Sequence, residues 1–527
     1  IANVIEPTSG TVLDPACGSG GMFVQSARVV ARRHENPTEK LTFYGLEKNA
    51  TTIRLAKMNL AVHGLEGDIQ KAITYYEDPH ELVGKADFVM ANPPFNVDEI
   101  DADKVKNDPR LPFGLPGVNK KGKISNGNYV WISYFYNYLN ENGRAGFVMS
   151  SQASSAGRDE AKVRQKLVET GDVDVMVAIR SNFFYTRTVP CELWFLNRAK
   201  PEPYRDKVLM IDARNIYRKV TRKIFDFSPE QEQNLLSLVW LYRGETGRYL
   251  DLVAGYCRRM LDESAACFSM KDDEGETVEP LLDFIGALAT LRSSVEPFLK
   301  TLAKDASHIE PLKELDDAIP LFKADAESFR KSVTDQQTAW GQHLPAPRLR
   351  QEGKTTNGEL KKTVDRLATL AETSRDLVRQ SDLLYKLACR LIETCENECD
   401  ARDNDVWANR DITRARKAAD EARALAVEQL KQVRYFWKQA HWLTERFPEA
   451  ILCDVEGLVK LVDRAEIEAN DWSLTPGRYV GVAPEEEDED FDFEEALREI
   501  HVELEDLNAE AVQLAATVKK NFEELGI

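Results

Sequence analysis

Two short runs in the first hundred residues carry groups able to do chemistry. Asp14-Pro15-Ala16-Cys17-Gly18-Ser19-Gly20-Gly21 joins an apolar run, TVLDP, to the helical pattern MFVQSARVVARR. Glycines at a strand-to-helix junction permit a tight turn and let the backbone approach a ligand closely, at the sheet edge where doubly wound folds bind cofactors. An acid just before that turn is a poor neighbour for a pyrophosphate and a good one for a cation. This favours the ammonium and sulfonium of S-adenosyl-L-methionine over a dinucleotide. Read alone, such a loop is also compatible with a plain structural turn. The next β-type run, LTFYGLE, ends at Glu47, where α/β nucleoside binders set an acid to accept both ribose hydroxyls. A helix signal follows it, so the plainer reading of Glu47 alone is an acid at a helix start.

The second run, Asn92-Pro93-Pro94-Phe95, closes the strand pattern ADFVMA. Two prolines fix φ, remove two backbone donors and keep the preceding asparagine extended, so the turn is stiff and presents acceptors. The Asn92 side-chain oxygen and the Pro93 carbonyl can receive both hydrogens of an exocyclic amine and aim its lone pair at a methyl sulfonium. Phe95 offers a stacking face to the ring that bears the amine. An Asn-Pro pair by itself usually marks only a turn. Placed after a buried strand and a cofactor loop, it reads as catalytic.

These groups need a scaffold. TVLDP, LTFYGLE, ADFVMANPP, GRAGFVMS, VDVMVAI and CELWFLN read as strands separated by stretches long enough for crossover helices, which predicts a mostly parallel, doubly wound α/β sheet over residues 1–228. The composition then changes. SPEQEQNLLSLVWLYRG opens with a serine N-cap and a proline at the first helical position, and helical spacing continues through about residue 445. Residues 229–470 are expected to form a long helix pair, a bundle, or an all-helical domain with its own core, broken by a loop at 344–359. Residues 471–527 are expected to be an acidic linker and a closing helix.

With 527 residues, 43% apolar and 30% charged, the chain is ordinary for a globular protein of two or three domains. No apolar run approaches the roughly 18 residues of a membrane span, and no signal-peptide pattern opens the sequence, so a cytoplasmic protein is expected. Eight cysteines without a C-x2-C pair argue against a disulfide framework, and Cys389, Cys395 and Cys399 read better as reduced thiols than as zinc ligands. No metal is expected. The net charge of −19 is unevenly placed: residues 1–228 hold 31 basic against 27 acidic side chains, whereas 229–527 hold 38 against 61. Within 104–228 the count is 22 against 12, enough local excess to neutralise phosphates. The long loop 96–127 carries Arg110, Lys120, Lys121 and Lys123 with no acid between 110 and 123, and is expected to close on DNA. In 484–507 thirteen positions are acidic and one is basic; the plainest reading is a solvated linker, ahead of a contact to a basic partner or a phosphate mimic.

DPACGSGG, GLEKN and ANPPF in this order resemble the adenine-N6 DNA methyltransferases, and more closely the modification (M) subunits of Type I restriction-modification systems. NLAVHGLEGDI, TYYEDPH, GRAGFVMS, VRQKLVETGDVDVMVAI, FFYTRTVPCELWFLNRAKP, VLMIDARN and WSLTPGRYVG carry the resemblance further. It implies a Rossmann-like methyltransferase sheet followed by a helical region and a helical tail. Asp14, Ala16, Gly18, Ser19 and Gly20 would form the S-adenosyl-L-methionine loop, Glu47 would hold the ribose, and Asn92 to Phe95 would hold a flipped adenine. Phe184 and Tyr185 would line the base pocket, with strand-edge packing as the plainer alternative. Where family members place an acid or amide for the cofactor adenine, this chain has Ala72-Ile73-Thr74. The family also carries a helical segment before the first strand, so a chain opening at Ile1 is either incomplete or lacks that part.

No segment reads as a base-recognition helix or finger. The resemblance therefore implies double-stranded DNA as substrate, a specificity (S) subunit that reads the sequence, a second M subunit, and a restriction (R) subunit as a further partner. Other readings are an RNA or protein-glutamine methyltransferase with the same kind of turn, a self-sufficient methyltransferase-nuclease, and a noncatalytic DNA-binding scaffold whose pocket senses the cofactor.

Overall fold

VDVMVAI and CELWFLN have almost no exposed position along their lengths, the pattern of central strands covered by helices on both faces. They lie in a sheet that the computed structural model, which describes residues 1–183, 188–221, 224–302, 310–343, 357–483 and 493–524, places at the centre of the chain. Among the described residues its strands are β1 (Gly10–Asp14), β2 (Leu41–Glu47), β3 (Gly67–Lys71), β4 (Ala86–Ala91), β5 (Leu139–Ser150), β6 (Val173–Ile179), β7 (Cys191–Asn197), β8 (Lys207–Asp212) and β9 (Val459–Asp463). Their order is β9-β8-β6-β7-β5-β4-β1-β2-β3. β7 runs antiparallel between β5 and β6, β9 runs antiparallel to β8, and the other neighbours are parallel. The doubly wound Rossmann-like sheet expected from the sequence is present, with three strands more than the six read there.

Helices cover both faces. α1 (Gly21–Arg32) and α2 (Ala50–Val62) bury Phe23, Val30, Ala56 and Leu60 against one face. α3 (Asn128–Tyr138) and α4 (Arg158–Glu169) bury Tyr129, Trp131, Phe135 and Leu167 against the other. The crossovers change face between the β1–β3 side and the β4–β6 side, so the strand order reverses between β1 and β4.

After β8 the chain becomes helical. α5 (Pro229–Tyr242) begins with the anticipated cap: Ser228 Oγ accepts from the Gln231 N–H at 3.2 Å, and Gln231 Oε1 accepts from the Ser228 N–H at 2.9 Å. α6 (Thr246–Ala266), α7 (Pro280–Leu299), α8 (Glu310–His343), α9 (Asn357–Glu398) and α10 (Asn409–Arg446) follow, with α10 packed against α6, α7 and α9, and α8 against α9. α9 buries Leu360, Val364, Leu367, Ala371 and Ser374 at alternating spacings of four and three, and the stripe continues to Cys395. Inside that stripe Ser374 Oγ donates to the Ala371 carbonyl and Ser381 Oγ to the Leu377 carbonyl, both at 2.8 Å, so the buried hydroxyls are satisfied within the helix. The bundle does not keep a core of its own, because its apolar side chains and those of the α1/α2 face form one continuous layer. The expected loop at 344–359 lies mostly outside the described residues.

The expected boundary at 470 falls inside the sheet unit, which extends to Gly481. β9 closes the sheet edge, and residues 471–475 are held by Arg164. That guanidinium, 2% exposed, donates to the Trp472 carbonyl at 2.6 Å, to the Asp471 carbonyl at 3.3 Å and to the Ala156 carbonyl at 2.6 Å. The Leu474 N–H donates to the Ser154 carbonyl at 2.9 Å. A second unit, 482–527, contains α11 (Phe493–Glu524). Among the described residues no helix is long and apolar enough to cross a membrane.

Candidate active site

Adjacent parallel strands whose crossovers leave on opposite faces open a crevice beyond their carboxyl ends. In this sheet the crevice lies between β1 and β4, where Val12 faces Phe88 and Leu13 faces Val89. The strand carrying Asn92 is therefore the immediate neighbour of the strand carrying Asp14, about 4.8 Å away. The two sequence runs singled out above leave the sheet side by side.

The loop after β1 turns through Gly18 (φ +51°) and Gly20 (φ +78°), left-handed conformations that glycine adopts without strain. A Cβ on Gly18 would meet nothing within 4 Å, so its backbone faces open space. The Cys17 N–H donates to the Leu46 carbonyl at 3.0 Å, Thr74 Oγ1 donates to the Pro15 carbonyl at 2.6 Å, and Asn59 Nδ2 donates to the Ser19 carbonyl at 2.9 Å. Strand β2, the segment after β3 and helix α2 thus fix the loop from three sides. The loop presses so closely on β2 that a Cβ on Gly45 would lie 2.9 Å from Cys17 Sγ. Cys17 itself is buried, and burial, with the charges of Asp14 and Glu47, holds its thiol well above the ordinary range; it packs rather than reacts.

Asp14 is 1% exposed. Burial pushes its carboxyl up to about 8; the hydrogen bond from the Ala16 N–H, at 3.0 Å to Oδ1, works against this, and the nearby charge of Glu47 adds to the rise. Glu47, half-buried at the end of β2, accepts from the Asn49 N–H at 2.9 Å. Two carboxylates that repel each other beside a glycine loop make a site that a cation would relieve. Ile73 is 49% exposed at the same edge, and its N–H donates to Glu77 Oε2 at 2.8 Å.

At the end of β4, Asn92 is exposed, Pro93 buried, Pro94 exposed and Phe95 half-buried against the α3 side of the sheet. The arch therefore rests on Pro93 and offers Asn92 outward. Phe184 and Tyr185 lie outside the described residues.

The loop 96–127 is more structured than its lack of periodicity suggests. Ile100–Asp101 pairs with Lys123–Ile124, and Ile100, Val105, Leu111, Phe113 and Ile124 are buried. This corrects the reading of Arg110, which is 2% exposed and cannot reach DNA. Its Nε and Nη2 donate to Asp108 at 2.9 and 2.6 Å, and Nη1 donates to the Thr74 carbonyl, the Glu77 carbonyl and Tyr138 Oη at 2.9–3.1 Å. Its guanidinium also lies 4.1 Å from the Tyr134 ring centre. Arg110→Ala is expected to cost about 3–5 kcal/mol, because it empties a buried guanidinium site, frees two backbone carbonyls and takes the cationic partner from the half-buried Asp108 carboxylate. Chemical denaturation checks this, and a variant as stable as the parent would refute the structural assignment. Lys120 and Lys121 are exposed, while Lys123 Nζ pairs with Asp101 Oδ2 at 2.8 Å.

Sequence reasoning missed the roles of Thr74 and Gly45 and an asparagine cluster behind the Asn-Pro-Pro-Phe turn. Gly45 left a signal, a glycine inside an otherwise apolar strand, which marks close approach of another backbone.

The N-6 DNA Methylase family profile matches residues 1–259. The Type I restriction enzyme MjaIX methylase subunit of Methanocaldococcus jannaschii is 40% identical over 227 residues, covering 42% of this chain and 40% of that protein. The Type I restriction enzyme HindI methylase subunit of Haemophilus influenzae is 34% identical over 260 residues, covering 49% of this chain and 56% of that protein. The matched region thus spans between two fifths and somewhat over half the length of these relatives. Among solved structures, the type I restriction-modification system methyltransferase subunit from Streptococcus thermophilus is similar at 23% identity and a TM-score of 0.40, over 45% of this chain and 51% of that one. Residues 1–259, the stretch similar to the N-6 DNA Methylase family, hold both the glycine loop and the Asn-Pro-Pro-Phe turn.

Proposed function

We propose that the chain is the modification subunit of a Type I restriction-modification complex, a site-specific DNA-methyltransferase (adenine-specific) that uses S-adenosyl-L-methionine. The observation that carries this reading is the placement of an Asn-Pro-Pro arch, whose two prolines lack N–H donors, beside a glycine loop at the point where the strand order reverses. The residues fit the cofactor: Gly18 offers bare backbone, Asp14 and Glu47 offer two mutually repelling carboxyls to its cationic groups and ribose hydroxyls, and Ala16, Ser19 and Gly20 complete the loop. Bound there, the cofactor supplies a methyl group on sulfonium, an excellent leaving group.

The protein contributes position and electrostatics. An adenine amine is paired inside a duplex, so the base must be turned out before it can be methylated. The Asn92 side-chain oxygen and the Pro93 carbonyl then accept its two hydrogens, Phe95 stacks on the ring, and the lone pair is directed along the line of transfer. Exposed Lys120 and Lys121 supply charge for the DNA backbone, and Lys123 contributes there only by giving up its pair with Asp101. Phe184 and Tyr185 are assigned to the base pocket.

Sequence choice falls to a specificity subunit. α11 supports this: Phe493, Leu497, Ile500, Leu504 and Leu507 recur at spacings of four and three and are all exposed, a seam suited to another helix. A second M subunit and a restriction subunit complete the assembly, acting on cytoplasmic DNA. The full chain, purified with the subunits that accompany it, should transfer labelled methyl groups to duplex DNA at N6 of defined adenines. Label entering RNA or a protein glutamine, or none entering DNA, would overturn the proposal.

A further inference from the structure

We propose that Asn128 is a positioning residue for the Asn92–Phe95 turn, acting through Asn96; the inference rests on the methyltransferase reading and deepens it. The turn has a structural difficulty at its downstream end. Asn92 is anchored by β4, but Pro93 and Pro94 have no N–H to tie the arch down. The tie comes one residue beyond Phe95. Asn96 stands in the left-handed region at φ +54°, and its N–H donates to Asn128 Oδ1 at 2.9 Å. Its own Oδ1 accepts from Asn128 Nδ2 at 2.9 Å and from Asn126 Nδ2 at 3.1 Å.

The orientation of these three amides is fixed by backbone donors. Asn128 Oδ1 must face the Asn96 N–H, so its Nδ2 faces Asn96 Oδ1. Asn126 Oδ1 accepts the Asn128 N–H at 2.9 Å, so its Nδ2 must also point at Asn96. Asn128 is 2% exposed and is the first residue of α3, a helix buried along most of its length. Close approach of the chain behind it is enforced at Gly127, whose N–H donates to the Val97 carbonyl at 2.7 Å and where a Cβ would lie 2.6 Å from Ile100 Cδ1. A buried helix thus sets where the downstream end of the arch lies, and with it the heading of Phe95 and the Pro93 carbonyl.

The donor and acceptor roles separate two isosteric changes. Asn96 Oδ1 only accepts, and aspartate both accepts and tolerates the left-handed conformation. Asn128 must donate as well as accept, so Asn128→Asp sets a carboxylate oxygen against Asn96 Oδ1. Asn128→Asp and Asn96→Ala should each lower kcat on the order of 10- to 100-fold, the effect of moving a reacting group by about 1 Å. The cofactor dissociation constant should stay within about twofold, and Asn96→Asp should recover at least about tenfold of what Asn96→Ala loses. The assay is single-turnover methylation of duplex DNA by the full chain with its accompanying subunits, below the melting temperature of each variant. An unchanged kcat in Asn128→Asp, or no difference between Asn96→Asp and Asn96→Ala, overturns the inference while the parent stays active. Should Asn128→Asp fail to fold, the Asn96 pair alone decides, since Asn96 is exposed. A parent complex that methylates no DNA defeats the functional proposal itself, and this inference with it.

Discussion

Asn92→Ala is expected to lower kcat for DNA methylation on the order of 10²–10³-fold, the loss seen when one preoriented electrostatic contact to a reacting group is removed. The side chain is exposed, so its removal should change stability by no more than about 0.5 kcal/mol. It also lies outside the glycine loop, so cofactor affinity should be nearly unchanged. The pattern to look for is a fall in kcat with binding preserved, which marks an interaction made chiefly in the transition state. The Pro93 carbonyl remains, so a residual rate is expected. Transfer of labelled methyl groups to duplex DNA, paired with cofactor titration calorimetry, measures both quantities. A variant with kcat within about threefold of the parent would remove Asn92 from the chemistry.

Asp14→Asn should weaken cofactor binding by about 100-fold, from the ~1.5–3 kcal/mol of a hydrogen bond to a charged group. The same change should stabilise the protein when no cofactor is present. In the fold burial raises the Asp14 carboxyl to about 8, whereas its ordinary value is 3.8, so the folded state holds a proton that the unfolded chain releases. The contribution of Asp14 to stability is therefore greatest below about pH 4, falls as pH rises through the window from 4 to 8, and levels off above it. Asparagine has no such dependence. The thermal midpoint of the variant should pull ahead of the parent across that window and stop gaining above pH 8. Binding of a cation favours ionised Asp14, so parent affinity should rise by up to about tenfold per pH unit below 8 and flatten beyond. A pH-independent dissociation constant for the parent, or an unweakened one for the variant, would show that Asp14 does not meet the cofactor's charge.

The sheet was readable where the chain is local. β2, β6 and β7 run over the residues their β-branched and aromatic patterns predict, and β6 and β7 are plainest because strands covered on both faces are mostly apolar. That same covering hides direction: with no alternation between faces, CELWFLN gives no sign that it runs antiparallel. β9 was unreadable for a different reason. VKLVD is short and ordinary, and its partner KVLMID lies on the far side of the whole helical region.

The site divides in the same way. Asp14 and Asn92 were legible because one ends a strand, the other follows one, and each has a side chain suited to one task. Arg110 was misplaced because counting charge along a loop cannot see Tyr134 and Tyr138, which a later helix turns toward it. The YVWISYFYNY pattern, aromatic rings with polar tips, was the available hint that buried polar partners would be needed. The asparagines at 96, 126 and 128 gave no hint at all, since their meaning lies in mutual geometry.

The pairing of β8 with β9 joins segments about 250 residues apart, with Ile211 opposite Val459. Were the intervening chain a free coil, the length-dependent part of closing that ring would cost roughly 5 kcal/mol. Packed helices in place of free coil shorten the span to be closed and lower that cost. During synthesis, then, the outer side of β8 stays open until residues 459–463 have emerged, and a chaperone has a defined, late-vanishing ribbon of unpaired backbone to guard.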